Sequence, residues 1–150
     1  MPQTRHIKRT HLVVGAGRMG GALLSGWTTE SKNTVSPEQV VILDPNPGDA
    51  AIDAIHNGAL HISQPDECLR EAQYVLLAVK PQMFAEIGSN IAKYIPGDSL
   101  IISIMAGTTL ASLRTCFPTH ALVRAMPNTP AAIGAGITAF TSEQNVSDAQ

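Results

Sequence analysis

Short apolar runs punctuate the chain: HLVV (11–14), VVIL (40–43), YVLLAV (74–79), SLIISI (99–104) and HALVRA (120–125). Each has the length of a strand, and longer stretches of helical period lie between them. Met19, Ala22, Leu23, Gly26 and Trp27 share one face at 3.6-residue spacing, as do Phe84, Ile87, Ile91, Tyr94 and Ile95. The alternation predicts β-α-β units. Because the runs are continuous Val, Ile and Leu without polar alternation, they predict strands covered by helices on both faces, hence an α/β, doubly wound, mainly parallel sheet. A weaker strand is expected near Ala59–Ile62, a helix near Pro65–Ala72, a short helix from about Thr109 to Cys116, and a last strand near Gly136–Phe140.

These elements place one domain over 11–141, preceded by a basic tail at 1–10 that carries Arg5, His6, Lys8 and Arg9. The polar stretch SEQNVSDAQ (142–150) reads as the start of a linker or of another helix. A chain of 150 residues with 44% hydrophobic and 15% charged residues is sufficient for one core. The net charge of −2 supplies no broad positive field, so no nucleic-acid partner is expected. The longest apolar run, LIISIMAG (100–107), is far below the about 20 residues a bilayer span requires, and no signal peptide is recognisable, so a cytoplasmic protein without a membrane partner is expected. Cys68 and Cys116 form no C-x-x-C pair and the five histidines show no ligand spacing, so no metal site is indicated.

The chemistry begins directly after the first strand. Gly15-Ala16-Gly17-Arg18-Met19-Gly20 is a complete G-x-G-x-x-G running into a helical pattern, and Asp44 ends the second strand 24 positions after Gly20. Strand, glycine loop, helix and acid together make the fingerprint of a Rossmann-type dinucleotide site. Gly15 turns the chain, Gly17 admits a pyrophosphate close to the backbone, Gly20 lets helix and sheet approach, and N–H groups at the helix start face the phosphates. Asp44 has two readings: a ribose reader that favours NAD, or the first residue of the turn Asp-Pro-Asn-Pro-Gly. Arg18 and Asn46 could instead cradle a 2′-phosphate, so both NADP(H) and NAD(H) remain open. Ligands of open α/β sheets lie beyond the carboxyl ends of the strands, so the turns Ala78–Gln82, Met105–Thr109 and Met126–Pro130 are expected to line one crevice.

In order and spacing, the glycine loop, AVKPQ, SIMAGTTL and VRAMPNTPAAIGAG resemble the N-terminal domain of the pyrroline-5-carboxylate reductase family, from about His11 to Phe140. The resemblance implies an enzyme of proline biosynthesis that reduces 1-pyrroline-5-carboxylate to L-proline by hydride transfer from NADPH or NADH, and a homo-oligomer when full length. It also implies cofactor contacts at Val14, Gly15, Ala16, Gly17, Arg18 and Met19, at Asn46, at Ala78, Val79, Lys80 and Pro81, and at Ile104, Met105 and Ala106, with Asn128 shaping the nicotinamide side. Plainer roles stand beside these. Lys80 offers its backbone as readily as its ammonium, Met105 and Met126 are core fillers by default, Thr108 or Thr109 can cap the next helix, and Asn128 can hold its own turn.

The chain departs from the family at Arg18 and Pro65, where asparagines are usual. It also lacks the family's all-helical C-terminal domain, which carries the proposed proton-donating threonine. No catalytic residue is assigned within the 150 residues, and the isolated chain is expected to be inactive. Two alternatives stand: a stand-alone dinucleotide-binding or sensing module, and another β-hydroxyacid-dehydrogenase-like reductase.

Overall fold

The apolar runs become one seven-stranded sheet in the order β3-β2-β1-β4-β5-β6-β7. In the computed structural model, which describes residues 7–28, 35–128, 130 and 135–150, the strands are β1 (His11–Val14), β2 (Val40–Leu43), β3 (Leu60–Ile62), β4 (Tyr74–Leu77), β5 (Leu100–Ser103), β6 (Ala121–Pro127) and β7 (Thr138–Ser142). The first six run parallel and β7 returns antiparallel on β6. The helices are α1 (Arg18–Thr28), α2 (Asp49–His56), α3 (Phe84–Ile91) and α4 (Leu110–Cys116).

Successive strand residues point to opposite faces, so β1, β2 and β4 each feed two cores. Leu12, Val14, Val41, Leu43, Val75, Leu77, Ile101 and Leu122 pack with Phe84, Ile91, Leu113 and Phe117 on one side. Val13, Val40, Ile42 and Leu76 pack with Leu24, Ala51 and Ala54 on the other. Val13, Val40, Ile42, Val75, Leu77, Ile101 and Leu122 are wholly buried, which is why none of these strands shows a polar alternation.

The structure corrects several sequence expectations. The helix expected over Pro65–Ala72 is a short 3-10 helix, Glu67–Glu71: the Asp66 carboxylate caps its start by accepting the Cys68 N–H at 2.8 Å, and its backbone bonds run three residues back, from Leu69 N–H to Asp66 and from Ala72 N–H to Leu69. The buried stripe of α1 is Gly20, Gly21 and Leu24, with Leu23 and Trp27 partly buried and Gly26 exposed. It is thus centred one residue beyond the expected face. On α3 the expected face is present, but the α-helix closes at Ile91, just before Ile95 meets Pro96, where the residue preceding proline disfavours helix. Helix α2 has no counterpart in the apolar periodicity, since its buried positions are only Ala51 and Ala54. Small residues suffice there: a Cβ on Gly21 of α1 would stand 3.3 Å from the Ala50 Cβ.

Both ends of the described chain are tied to the sheet. The Arg9 N–H donates to Glu71 Oε2 at 3.3 Å, and the Thr10 carbonyl accepts from the N–H groups of Gln73 and Tyr74 at 2.8 and 3.0 Å. Beyond β7, the Glu143 N–H donates to the Leu122 carbonyl at 3.2 Å, and the Glu143 carboxylate pairs with Arg114. Arg114 also donates to the carbonyls of Phe117 and His120, each at 2.8 Å, so one guanidinium joins α4, β6 and the segment after β7. Arg5 and His6 of the basic tail lie outside the described residues.

Candidate functional site

Parallel register brings the carboxyl ends of the strands to one rim. Val14 is level with Leu43 and Leu77, and Leu77 with Ser103, which is level with Arg124. The glycine loop, Pro45–Asn46, Ala78–Pro81, Ile104–Ala106 and the far end of β6 therefore all leave the sheet on the same side. The start of the Met126–Pro130 turn, at the end of β6, leaves the sheet on the same rim as the glycine loop.

Close approach shapes the loop. Gly15 has φ +85°, a conformation that L side chains rarely adopt, and a Cβ there would lie 2.7 Å from the Ala78 carbonyl oxygen. A Cβ on Gly20 would lie 2.3 Å from the Gly15 carbonyl oxygen and 2.9 Å from the Ala78 Cβ. Gly17 differs: a Cβ would meet nothing within 4 Å, so open space stands over the loop where helix α1 begins. The N–H groups of Gly17, Arg18 and Met19 have no acceptor among the described residues. They are free donors of a helix start beside open space, where an anion can be held.

Asp44 closes the loop from the second strand. Its Oδ2 accepts the Ala16 N–H at 2.7 Å and its Oδ1 the Asn46 N–H at 2.8 Å. One carboxylate thus forms its own turn and clasps the glycine loop. Its backbone is held too, by the Asp44 N–H on the Ile62 carbonyl at 3.2 Å and by His61 Nε2 on the Asp44 carbonyl at 2.7 Å. A carbonyl only accepts, so that imidazole nitrogen carries the proton.

Below these turns opens a cleft of about 560 Å³, within the size range of small-molecule sites. It gathers eight of the sixteen residues expected at the site: Val14, Gly15, Gly17, Asp44, Asn46, Ala78, Val79 and Lys80. Ala16, Arg18, Met19, Pro81, Ile104, Met105, Ala106 and Asn128 do not line it. Met105 is buried in the core, and its N–H donates to Ser103 Oγ at 3.3 Å. Thr109 caps α4, accepting the Ser112 N–H at 3.1 Å. Asn128 Oδ1 accepts the Ile137 N–H at 2.9 Å and ties the two ends of the β6–β7 loop. Thr129 and residues 131–134 of that loop lie outside the described residues.

The cleft also includes residues that the motifs do not name. Ser63 and Gln64 follow β3, and Met83, Glu86, Ile87 and Asn90 come from the start and exposed flank of α3. Their signal is weak but present: Met83, Ile87 and Asn90, with Glu86 beside them, recur at helical spacing next to the buried Phe84–Ile91 face. Away from the cleft, burial and the Asp66 hydrogen bond push the Cys68 thiol up to about 12, so it stays protonated near neutrality.

Residues 12–107, which hold the glycine loop, the Asp44 clasp and the cleft, match the model of a family described as NADP oxidoreductase, coenzyme F420-dependent. The chain belongs to this family. Among its relatives is a pyrroline-5-carboxylate reductase of Synechocystis, 35% identical over 136 residues, covering 89% of the chain and 49% of the relative. Another is the Escherichia coli pyrroline-5-carboxylate reductase, 36% identical over 131 residues, covering 85% and 47%. The chain thus spans about half the length of the curated relatives it matches. A solved Plasmodium falciparum pyrroline carboxylate reductase with NADP bound superposes with TM-score 0.78 at 26% identity, over 95% of this chain and 52% of that one. The fold of this NADP oxidoreductase family, and the resemblance read from the sequence motifs, therefore stand together.

Proposed function

We propose that the chain is the cofactor-binding part of a pyrroline-5-carboxylate reductase, in which a hydride passes from NAD(P)H to the imine carbon of 1-pyrroline-5-carboxylate to give L-proline. The observation that carries this reading is the glycine loop: two glycines that no side chain can replace, and between them one with open space and free N–H donors above it. A diphosphate fits that cradle, and the family relatives named above supply the chemistry of the reaction.

In this reading Gly17, Arg18 and Met19 hold the diphosphate through backbone N–H groups. Ala78, Val79 and Lys80 form the wall beneath it, and Asp44 and Asn46 border the adenosine ribose. Pro81 and Ile104–Ala106 continue the wall along the rim toward Asn128, which shapes the nicotinamide side. A bound nicotinamide dinucleotide supplies the hydride; the chain's own share is to position it and to exclude water from one side. Imine reduction also needs a proton for the ring nitrogen, and we assign no acid to it in these 150 residues. The isolated chain is accordingly expected to bind dinucleotide and turn over little or nothing. We further infer a cytoplasmic homo-oligomer for the full-length enzyme, acting on a small molecule and not on nucleic acid. Among the described residues no helix is long and apolar enough to cross a membrane.

Calorimetric titration of the chain with NADH and with NADPH tests the cofactor assignment, with one site per chain expected. No binding of either up to millimolar concentration overturns it. Pyrroline-5-carboxylate-dependent oxidation of NAD(P)H by the full-length gene product, set against a panel of hydroxy acids, tests the reaction. Turnover of hydroxy acids in its place would select a β-hydroxyacid-dehydrogenase-like enzyme.

A further inference from the structure

We infer that Asp44 makes the cleft selective for a dinucleotide without a 2′-phosphate, so that NADH binds in preference to NADPH. The inference rests on the cofactor reading above and concerns the adenosine end of that site. Asp44 lines the cleft at the carboxyl end of β2, where an acid meets the 2′-hydroxyl of an adenosine ribose in sites of this type. What the structure adds is that this carboxylate is pinned. Its two oxygens accept from Ala16 N–H at 2.7 Å and from Asn46 N–H at 2.8 Å. Turning away from an incoming phosphate would strip both donors of their acceptor, and the second donor belongs to the turn that follows β2.

A carboxylate offers about four lone-pair directions. Two are engaged by the backbone, which leaves acceptors for ribose hydroxyls and none of the donors that a phosphate needs. The surroundings do not reverse the sign. No Lys, Arg or His among the described residues forms an ion pair with Asp44. The charged residues that line the cleft are Asp44, Lys80 and Glu86, two acids to one base. Arg18, a cation of the glycine loop that could meet a 2′-phosphate, does not line it. A pinned negative charge beside a second negative charge is repulsive at any dielectric.

The test is a pair of dissociation constants, for NADH and NADPH, measured by calorimetry on the 150-residue chain at low salt. NADH is expected to bind at least about tenfold more tightly. Equal affinity, or tighter NADPH, overturns the inference; failure of both to bind overturns the cofactor reading. Asp44→Asn keeps the size and one acceptor oxygen while removing the charge, and should bring the two constants within about threefold. An unchanged ratio in that variant overturns the inference. Should Asp44→Asn fail to fold, the unmodified chain still decides: raising the salt should narrow the ratio if charge makes the distinction. A ratio indifferent to salt assigns the selectivity to shape and overturns it.

Discussion

The two ends of the sheet are built on different terms. Around β2, β1 and β4, three residues that break the apolar pattern are fixed by backbone: Gly15 and Gly20 by carbonyl oxygens that leave no room for a Cβ, and Asp44 by two N–H groups. At β6 and β7 the polar breaker Asn128 holds only its own loop, and β7 is exposed along its whole length, with Phe140 at 75% exposure and Ile137 just before the strand at 76%. The cleft end draws its rigidity from close backbone approach at Gly15 and Gly20, which leaves no room for a Cβ at either. The far end is a rim whose side chains have little to lose.

The sharpest way to break this comparison is Gly20→Ala. The new methyl group would sit 2.3 Å from one backbone oxygen and 2.9 Å from the Ala78 Cβ, and neither belongs to a side chain that can swing away. A loss of about 3 kcal/mol or more in urea unfolding is expected, in the range of overpacking with backbone displacement. A loss below about 1 kcal/mol would show that the loop yields, and the contrast between the two ends would fall with it.

Gly17→Val separates fitting from function at the same loop. A Cβ at Gly17 meets no neighbouring atom within 4 Å, so stability should stay within about 0.5 kcal/mol of the parent. Dinucleotide affinity should fall by at least about a hundredfold, because the added atoms occupy the place reserved for the diphosphate. Retained affinity in the calorimeter would move the phosphate site away from the loop.

These two glycines also mark how far the sequence could be read. The G-x-G-x-x-G motif disclosed the loop, the apolar runs disclosed five strands, and the weaker expectations near Ala59–Ile62 and Gly136–Phe140 fell on β3 and β7, all to within two residues at their ends. Both signals are local and repeated. What escaped was non-local or low in contrast. Helix α2 buries only alanines, so its face barely differs from its flanks. The segment before β4 shortens to a 3-10 helix whose start the Asp66 carboxylate caps by accepting the Cys68 N–H. The two readings of Asp44 are alternatives in the sequence; in the structure its carboxylate both forms the turn and lines the cleft. No spacing rule could have shown the Ala16 clasp, since it joins residues 28 apart in the chain.

A smaller effect is expected at the amino edge, opposite the cleft. His11 opens β1, its Nδ1 is 3.0 Å from Thr10 Oγ1 and its ring stacks on Tyr74 at 4.9 Å. His120 precedes β6, packs edge-on against Phe117 and is only 5% exposed, with neither ring nitrogen in hydrogen-bond geometry. Burial lowers both pKa values, although the Pro96 carbonyl near His120 pulls the other way. The unfolded chain therefore binds protons that the folded one refuses between the lowered values and about 6.5, so stability falls as pH drops through that window and levels off above it. The Tm should drop by a few degrees between pH 7.5 and 5.5, and His120→Phe should flatten part of the slope. A profile flat in the parent protein would contradict the neutral, buried imidazoles.

The mildest change probes the rim itself. Phe140 lies opposite Ala125 across the β6–β7 ladder, with three quarters of its surface open. Phe140→Ser therefore removes an aromatic ring that the described fold does not cover, and unfolding free energy should stay within about 0.5 kcal/mol of the parent. The measurement is informative in both directions if repeated over a range of protein concentrations. A loss above about 1 kcal/mol that is independent of concentration would mean that the ring is covered within the chain, and the rim would then be held as tightly as the cleft. A loss that grows with concentration would place a second copy of the chain on β7, since only an associating state gains stability from mass action. Indifference at every concentration would leave the contrast in its strongest form: a glycine loop that admits no added methyl group at Gly15 or Gly20, and an edge strand that can lose an aromatic ring unnoticed.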